Sequence, residues 1–264
     1  MKATINNFQL DYRNEGRGLP VIFFHAFPLN QTMWDEQLAA FREQYQVITF
    51  DWRGFGASEM TSDEPLQMSQ LAADARALLQ HLGIEKAVIV GLSMGGYAAL
   101  AFYREYREMA LALVLADTRA TADTEEARER RLQSAAKAER QGAAAIADDV
   151  VPGLLGATTL ANKPEIVSRV RAMVTATSPL AIAAGQRGMA ARQDSADLLA
   201  QISCPTLIIV GAEDTLSPVA EAEFTRNGIA GAKLAVIEQA GHLANLEQPQ
   251  EFNKALMEFL SSIA

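Results

Sequence analysis

The sequence predicts an α/β protein: a mostly parallel, doubly wound β-sheet with a helical cap inserted after the sixth strand. Three observations carry this. Short apolar, β-rich segments alternate with segments of helical pattern, as expected of a sheet covered on both faces. The alternation stops after Asp117, and the stretch 121–199 contains no convincing strand before the rhythm returns near Thr206. The run Gly91-Leu92-Ser93-Met94-Gly95-Gly96 places a G-x-S-x-G sequence where a strand meets a helix.

The elements follow in order. Residues 4–13 read as an antiparallel pair turning at Asn6-Asn7. Core strands are expected at 21–24, 47–50, 87–90 and 111–115, each short, apolar and rich in β formers. Between them 31–42, 68–82 and 97–106 read as helices, the last with neither Gly nor Pro. In the strand-free stretch, 125–140 reads as one amphipathic helix, and 164–176 and 179–192 as two more that open on Pro164 and Pro179. Pro152-Gly153 and Gly156 punctuate the interval. A strand at 206–210, a helix near 218–224, a strand at 233–237 and a closing helix at 249–260 complete the chain. No internal repeat or low-complexity linker interrupts it. The expected organisation is one domain over 1–264, with a core of 1–120 and 200–264 and a cap of about 121–199.

A chain of 264 residues buries roughly 70–75% of the surface that its unfolded form exposes, so its core needs no staple. The net charge of −9 and the pI near 4.9 work against nucleic acid and anionic membranes as partners and favour a small-molecule substrate. The single Cys204 excludes an internal disulfide and reads as a small core residue. The start Met1-Lys2-Ala3-Thr4 lacks the pattern of a secretory signal, and no apolar run approaches the 18 or so residues of a membrane span. The expectation is a cytoplasmic protein, monomeric or homodimeric. The run Arg128-Glu129-Arg130-Arg131, downstream of Glu125 and Glu126, mixes both signs and reads as a solvated helix face.

A bare G-x-S-x-G arises by chance in roughly one chain of this length in ten, so its context matters. A buried strand precedes it and a helix follows. Gly91, Gly95 and Gly96 suit a turn where neighbouring backbone passes very close. A serine hydroxyl is a weak nucleophile at neutral pH; it needs a base within hydrogen-bond reach and a carboxylate to orient that base. Of the three histidines, His81 ends a predicted helix and suits its dipole, while His25 ends the first core strand and suits a loop-shaping role. His242, between the last strand and the terminal helix, is the candidate base. For the carboxylate, Asp214 follows the strand 206–210 in Gly211-Ala212-Glu213-Asp214, at the carboxyl end where parallel sheets place their sites. Asp117 is the competing choice and Glu213 a weaker one.

The order Ser93, Asp214, His242 is that of α/β-hydrolases. The chain resembles the α/β-hydrolase fold superfamily over essentially its whole length, through the serine motif, Gly211-Ala212-Glu213-Asp214, Ala240-Gly241-His242, and Asp51-Trp52-Arg53-Gly54-Phe55-Gly56-Ala57-Ser58. The last of these looks like the family's D-x-R-G-x-G-x-S turn, in which Asp51 and Arg53 would tie the loop down. The family's H-G-x stretch is matched by His25-Ala26-Phe27, with Ala26 standing where the family has Gly. On that match the backbone N–H groups of Phe27 and Met94 would form the oxyanion hole. Relatives that open epoxides or remove halogen use Asp as nucleophile, and position 93 is Ser.

Among relatives the motifs look most like small-cap carboxylesterases, 3-oxoadipate enol-lactone hydrolases and cofactor-free haloperoxidases that act as esterases. The resemblance implies a serine hydrolase cleaving carboxylic esters of small, mostly uncharged substrates through an acyl-enzyme, without metal or cofactor. The alternative is an enol-lactone or lactone hydrolase. A reading of another class is a ligand receptor or signalling protein that keeps the triad but turns over slowly. An acidic lactone would want a cation in the pocket; Arg187 and Arg192 could serve, although solvent exposure is the expected fate of each. Met173, Met189, Phe27 and Trp34 are candidates to line the pocket, against a reading of them as plain core.

Overall fold

The structure is a computed structural model describing residues 1–62 and 64–263; Asp63 and Ala264, within the predicted domain, lie outside the described residues. Strand β1 (Lys2–Ile5) turns into β2 (Phe8–Glu15) through Asn6 and Asn7, both left-handed at φ 45° and 66°, a conformation asparagine tolerates better than most residues. Six strands follow: β3 (Pro20–Phe24), β4 (Gln46–Phe50), β5 (Ala87–Leu92), β6 (Ala110–Ala116), β7 (Thr206–Gly211) and β8 (Lys233–Ile237). They form one sheet in the order β1-β2-β4-β3-β5-β6-β7-β8. The β1–β2 and β2–β4 pairs are antiparallel, and all pairs from β4 to β8 are parallel. Every residue of β5 and β7 is buried, which explains their uninterrupted apolar sequences; the edge strand β8 is largely half-buried or exposed.

Helices α1 (Asp35–Phe41), α2 (Met68–His81) and α3 (Met94–Tyr106) connect the first core strands. After β6 come α4 (Glu125–Leu154), α5 (Ala157–Asn162), α6 (Pro164–Ala176), α7 (Pro179–Ala190) and α8 (Ala196–Leu199), with no strand among them. The closing elements are α9 (Val219–Gly228), α10 (Ala244–Glu247) and α11 (Pro249–Ser261). No helix among the described residues is long and apolar enough to cross a membrane.

The helical insertion after β6 departs from expectation in α4. Thr124 caps its start by accepting from Ala127 N, and Glu125 and Glu126 occupy the first turn, where acidic groups favour the helix dipole. The chain bends at Gly142, at φ 81° and ψ 176°, and a second helical arm runs through Pro152 to Leu154. The sequence pattern ends this helix at Arg140 and marks Pro152-Gly153 as a break. Ile146, Ala147, Val151 and Leu154 are buried along the second arm, and that packing outweighs the hydrogen bond that proline removes. Arg192, expected in solvent, is buried: its guanidinium lies 2.7 Å from Asp123 and 4.2 Å above the Tyr97 ring. Arg187 is half-buried and pairs with Glu139.

Candidate active site

Ser93 sits on the turn between β5 and α3 at φ 56° and ψ −115°. A non-glycine residue held there stores about 1–3 kcal/mol of strain. The glycines around it answer to space. A Cβ on Gly91 would lie 2.2 Å from Gly95 O, and one on Gly95 would lie 2.1 Å from Phe24 O. The turn is tied to the next strand, because Ser93 N donates to Ala116 O at 3.0 Å and Thr118 Oγ1 donates to Ser93 O at 2.9 Å. The serine hydroxyl is thereby presented at the carboxyl edge of the sheet.

His242 follows β8 and reaches this point from the other side. Its Nε2 lies 2.8 Å from Ser93 Oγ and its Nδ1 lies 2.7 Å from Asp214 Oδ2. Asp214 Oδ1 accepts from Leu216 N at 2.8 Å and Ser217 N at 2.9 Å. Burial by itself would favour the neutral acid, but the adjacent His242 and these donors hold the Asp214 carboxyl below its ordinary range. Three side chains far apart in sequence thus form one hydrogen-bonded chain. It can withdraw a proton from the serine hydroxyl.

Asp117, the rival carboxylate, does not reach the imidazole. Fully buried at the end of β6, it accepts from Gly211 N at 2.8 Å and Ala244 N at 3.3 Å, joining β7 to α10. Burial, with the nearby Asp214 charge, pushes its carboxyl well above the usual range. Glu213 points to α5, accepting from Thr158 N at 2.8 Å. His25 accepts from Trp52 N through Nε2 at 3.0 Å, while its Nδ1 faces Ala26 O at 2.9 Å; burial lowers its pKa to about 3, so it is a neutral loop anchor. His81 is exposed at the end of α2.

Asp51 and Arg53 likewise fasten a loop. Asp51 accepts from Gln31 N at 2.7 Å and Ala57 N at 2.9 Å. Arg53 makes a two-pronged, buried pair with Asp74, at 2.5 Å and 2.7 Å. Phe27 lines the site cavity together with Ser93 and His242. Ala26 lies outside the left-handed region, so its methyl costs no backbone strain. Met94 is the first residue of α3, where a helix leaves its N–H groups without intrahelical partners.

The cavity in front of Ser93 has a volume of about 610 Å³, within the usual range for small-molecule sites. Phe27 and Met189 line it, whereas Met173 and Trp34 belong to the core. Its wall also carries Arg119, Arg130, Arg131 and Lys137 against one carboxylate, Asp149, which pairs with Lys137 at 2.6 Å. Of the run 128–131, expected as a solvated face, Glu129 and Arg130 are exposed as expected and Arg131 departs from it. Arg130 is exposed yet borders the cavity, and Arg131 turns inward to Asp123 and to Gln186 Oε1. The signal was present in the helical period, since Ala127, Arg130, Arg131, Ser134 and Lys137 share one face of α4. Among the described residues, no group of three or more His, Cys, Asp or Glu is arranged to hold a metal ion.

Comparison with known proteins agrees with the fold. Residues 20–249 match the sequence profile of the alpha/beta hydrolase fold. The chain is 32% identical to 3-oxoadipate enol-lactonase 2 of Acinetobacter baylyi over 96% of its own length and 93% of that protein's. Among solved structures, a thermophilic esterase from Thermogutta terrifontis, determined with malate bound, superposes with a TM-score of 0.96 at 40% identity, covering 100% of this chain and 98% of that one. The enol-lactonase from Burkholderia xenovorans LB400 superposes with a TM-score of 0.92 at 28% identity, covering 99% and 100%. With its mostly parallel eight-stranded sheet and a profile match over most of its length, the chain belongs to the alpha/beta hydrolase fold family.

Proposed function

We propose that the protein is a serine-dependent carboxylic ester hydrolase acting on small substrates, with Ser93, His242 and Asp214 as its catalytic residues. The observation that carries this reading is the chain Ser93 Oγ, His242 Nε2, His242 Nδ1, Asp214 Oδ2, with contacts of 2.8 Å and 2.7 Å, on a strained turn facing a cavity. Residues 121–199 act as a cap over a core of 1–120 and 200–264.

In this mechanism Ser93 Oγ attacks the ester carbonyl while His242 Nε2 takes its proton. The N–H groups of Phe27 and Met94 receive the developing oxyanion, each contributing about 3 kcal/mol. Collapse transfers the proton from His242 to the departing alcohol and leaves an acyl group on Ser93. Water, activated by the same imidazole, then attacks the acyl carbonyl and restores the serine. Asp214 holds the imidazole in the required tautomer and stabilises its charged form.

A second reading, hydrolysis of a lactone or enol-lactone carrying a carboxylate, is favoured by the excess of cations on the cavity wall, where Arg130 stands beside Arg119 and Arg131, which share the single carboxylate of Asp123. In a lactone the departing oxygen stays tethered to the acyl group, and a free carboxylate would find Arg119 and Arg130 within the same cavity. The test is steady-state hydrolysis of p-nitrophenyl esters from acetate to decanoate beside a carboxylate-bearing enol-lactone. Turnover of the short esters supports the ester reading, and preference for the anionic lactone promotes the second. No turnover of any of them by the wild type contradicts both and favours a receptor.

A further inference from the structure

Glu247 lies five residues beyond His242 and is 1% exposed, an unusual place for a carboxylate. Its Oε1 accepts from Gly241 N at 2.9 Å and Leu243 N at 3.2 Å, the N–H groups of the two residues that flank His242. Its Oε2 accepts from Gly156 N in the cap at 2.8 Å. One buried side chain thus grips the backbone on both sides of the candidate base and, with its other oxygen, the segment 156–163. Lys163 Nζ closes the same junction by donating to Glu247 O at 2.5 Å.

The candidate acid is held in a parallel way. Glu213, the residue before Asp214, donates its N–H to Ala240 O at 2.8 Å, and its carboxylate accepts from Thr158 N at 2.8 Å and from the Thr158 hydroxyl. The segment 156–163 therefore touches the acid loop at Glu213 and the base loop at Glu247. The backbones are too close for side chains: a Cβ on Gly241 would lie 2.2 Å from Gly156 N, and one on Gly156 would lie 2.8 Å from Gly241 N.

We infer that Glu247 is a positioning residue for His242, and that through Glu247 and Glu213 the cap segment 156–163 sets the spacing of the acid and base loops. This rests on the proposed roles of His242 and Asp214. Hydrogen bonds to a charged acceptor are shorter and stronger than neutral ones, and three of them fix the Glu247 carboxylate in position and direction. Proton transfer tolerates only about 0.5 Å of misplacement. The cap accordingly does more than wall the pocket: it braces the residues that move the proton.

The test is Glu247→Gln, which keeps the volume but removes the charge and one acceptor oxygen. Kinetics are read on p-nitrophenyl acetate, and the low-field proton resonance of the His242 Nδ1–H to Asp214 hydrogen bond is followed by NMR. The expected result is a fall in kcat of about 10- to 100-fold with KM within about twofold of wild type, and a displaced or broadened resonance. Wild-type kcat with an unmoved resonance overturns the inference, as does a raised KM at constant kcat. If Glu247→Gln does not fold, Thr158→Val decides: a several-fold fall in kcat at constant KM supports the brace, and wild-type kinetics overturn it. Should the wild type hydrolyse no ester, the ester reading falls on its own, and the resonance in either variant then decides the positioning role.

Discussion

At the scale of single residues, Asp214 and Asp117 stand at the ends of strands that are neighbours in the sheet, yet their surroundings give them different states. Asp214 faces an imidazole and two N–H donors and stays ionised; Asp117 is enclosed, and its partners are two backbone N–H groups. Asp214→Asn is expected to lower kcat by about 10⁴-fold, whereas Asp117→Asn, whose carboxyl bonds backbone N–H groups and not the imidazole, should leave it near the wild-type value; rates on p-nitrophenyl acetate check this. The lowered Asp214 pKa also has a signature in stability. Such a group contributes stabilisation that is present above its unfolded value and lost as pH falls through the folded value. The Tm advantage of wild type over Asp214→Asn should therefore shrink as pH falls below about 4, and a constant difference would contradict it. The pairing of Ser93 with His242 was legible in the sequence because few residues compete for the proposed roles. Asp214 was less so, because two strand ends each supply a carboxylate and only the folded backbone decides which one meets the imidazole.

Elements position these side chains. The loop after β4 is held by Asp51, and by Arg53 against Asp74 with the Phe8 ring 4.1 Å from the guanidinium. Arg53→Met would leave Asp74 buried without its cation and should cost about 3–5 kcal/mol of stability. Because this pair lies outside the cavity wall, KM for a short ester should not change; thermal unfolding and kinetics on the same sample check both parts. The strands were legible from their apolar runs, and the elbow from its glycines. The course of α4 was not. Gly142 gives no stronger local signal than Pro152, and it is the buried face around Ile146 and Val151 that carries the helix past the proline. The inward turn of Arg131 was hidden for a similar reason, since its partners Asp123 and Gln186 lie on other segments.

Considered as a whole molecule, a chain of net charge −9 presents a cavity wall rich in arginine. Local cations in a cleft attract an anionic substrate even when the overall charge repels it, and salt screens both effects over roughly 10 Å at 0.1 M. The cavity lies much closer to the bound substrate than the acidic outer surface does, so its attraction should dominate. The value of kcat/KM for a carboxylate-bearing ester or lactone should therefore fall with rising salt more steeply than that for a neutral ester of the same length. Equal slopes would assign the arginines to packing alone. The claim on which the rest depends is that Ser93 is the nucleophile. Its most direct test is steady-state hydrolysis of p-nitrophenyl acetate by wild type and Ser93→Ala, with matched circular dichroism to show that both are folded. A loss in kcat of about 10⁶-fold is expected; a Ser93→Ala protein that keeps its rate within about tenfold of wild type would contradict the account.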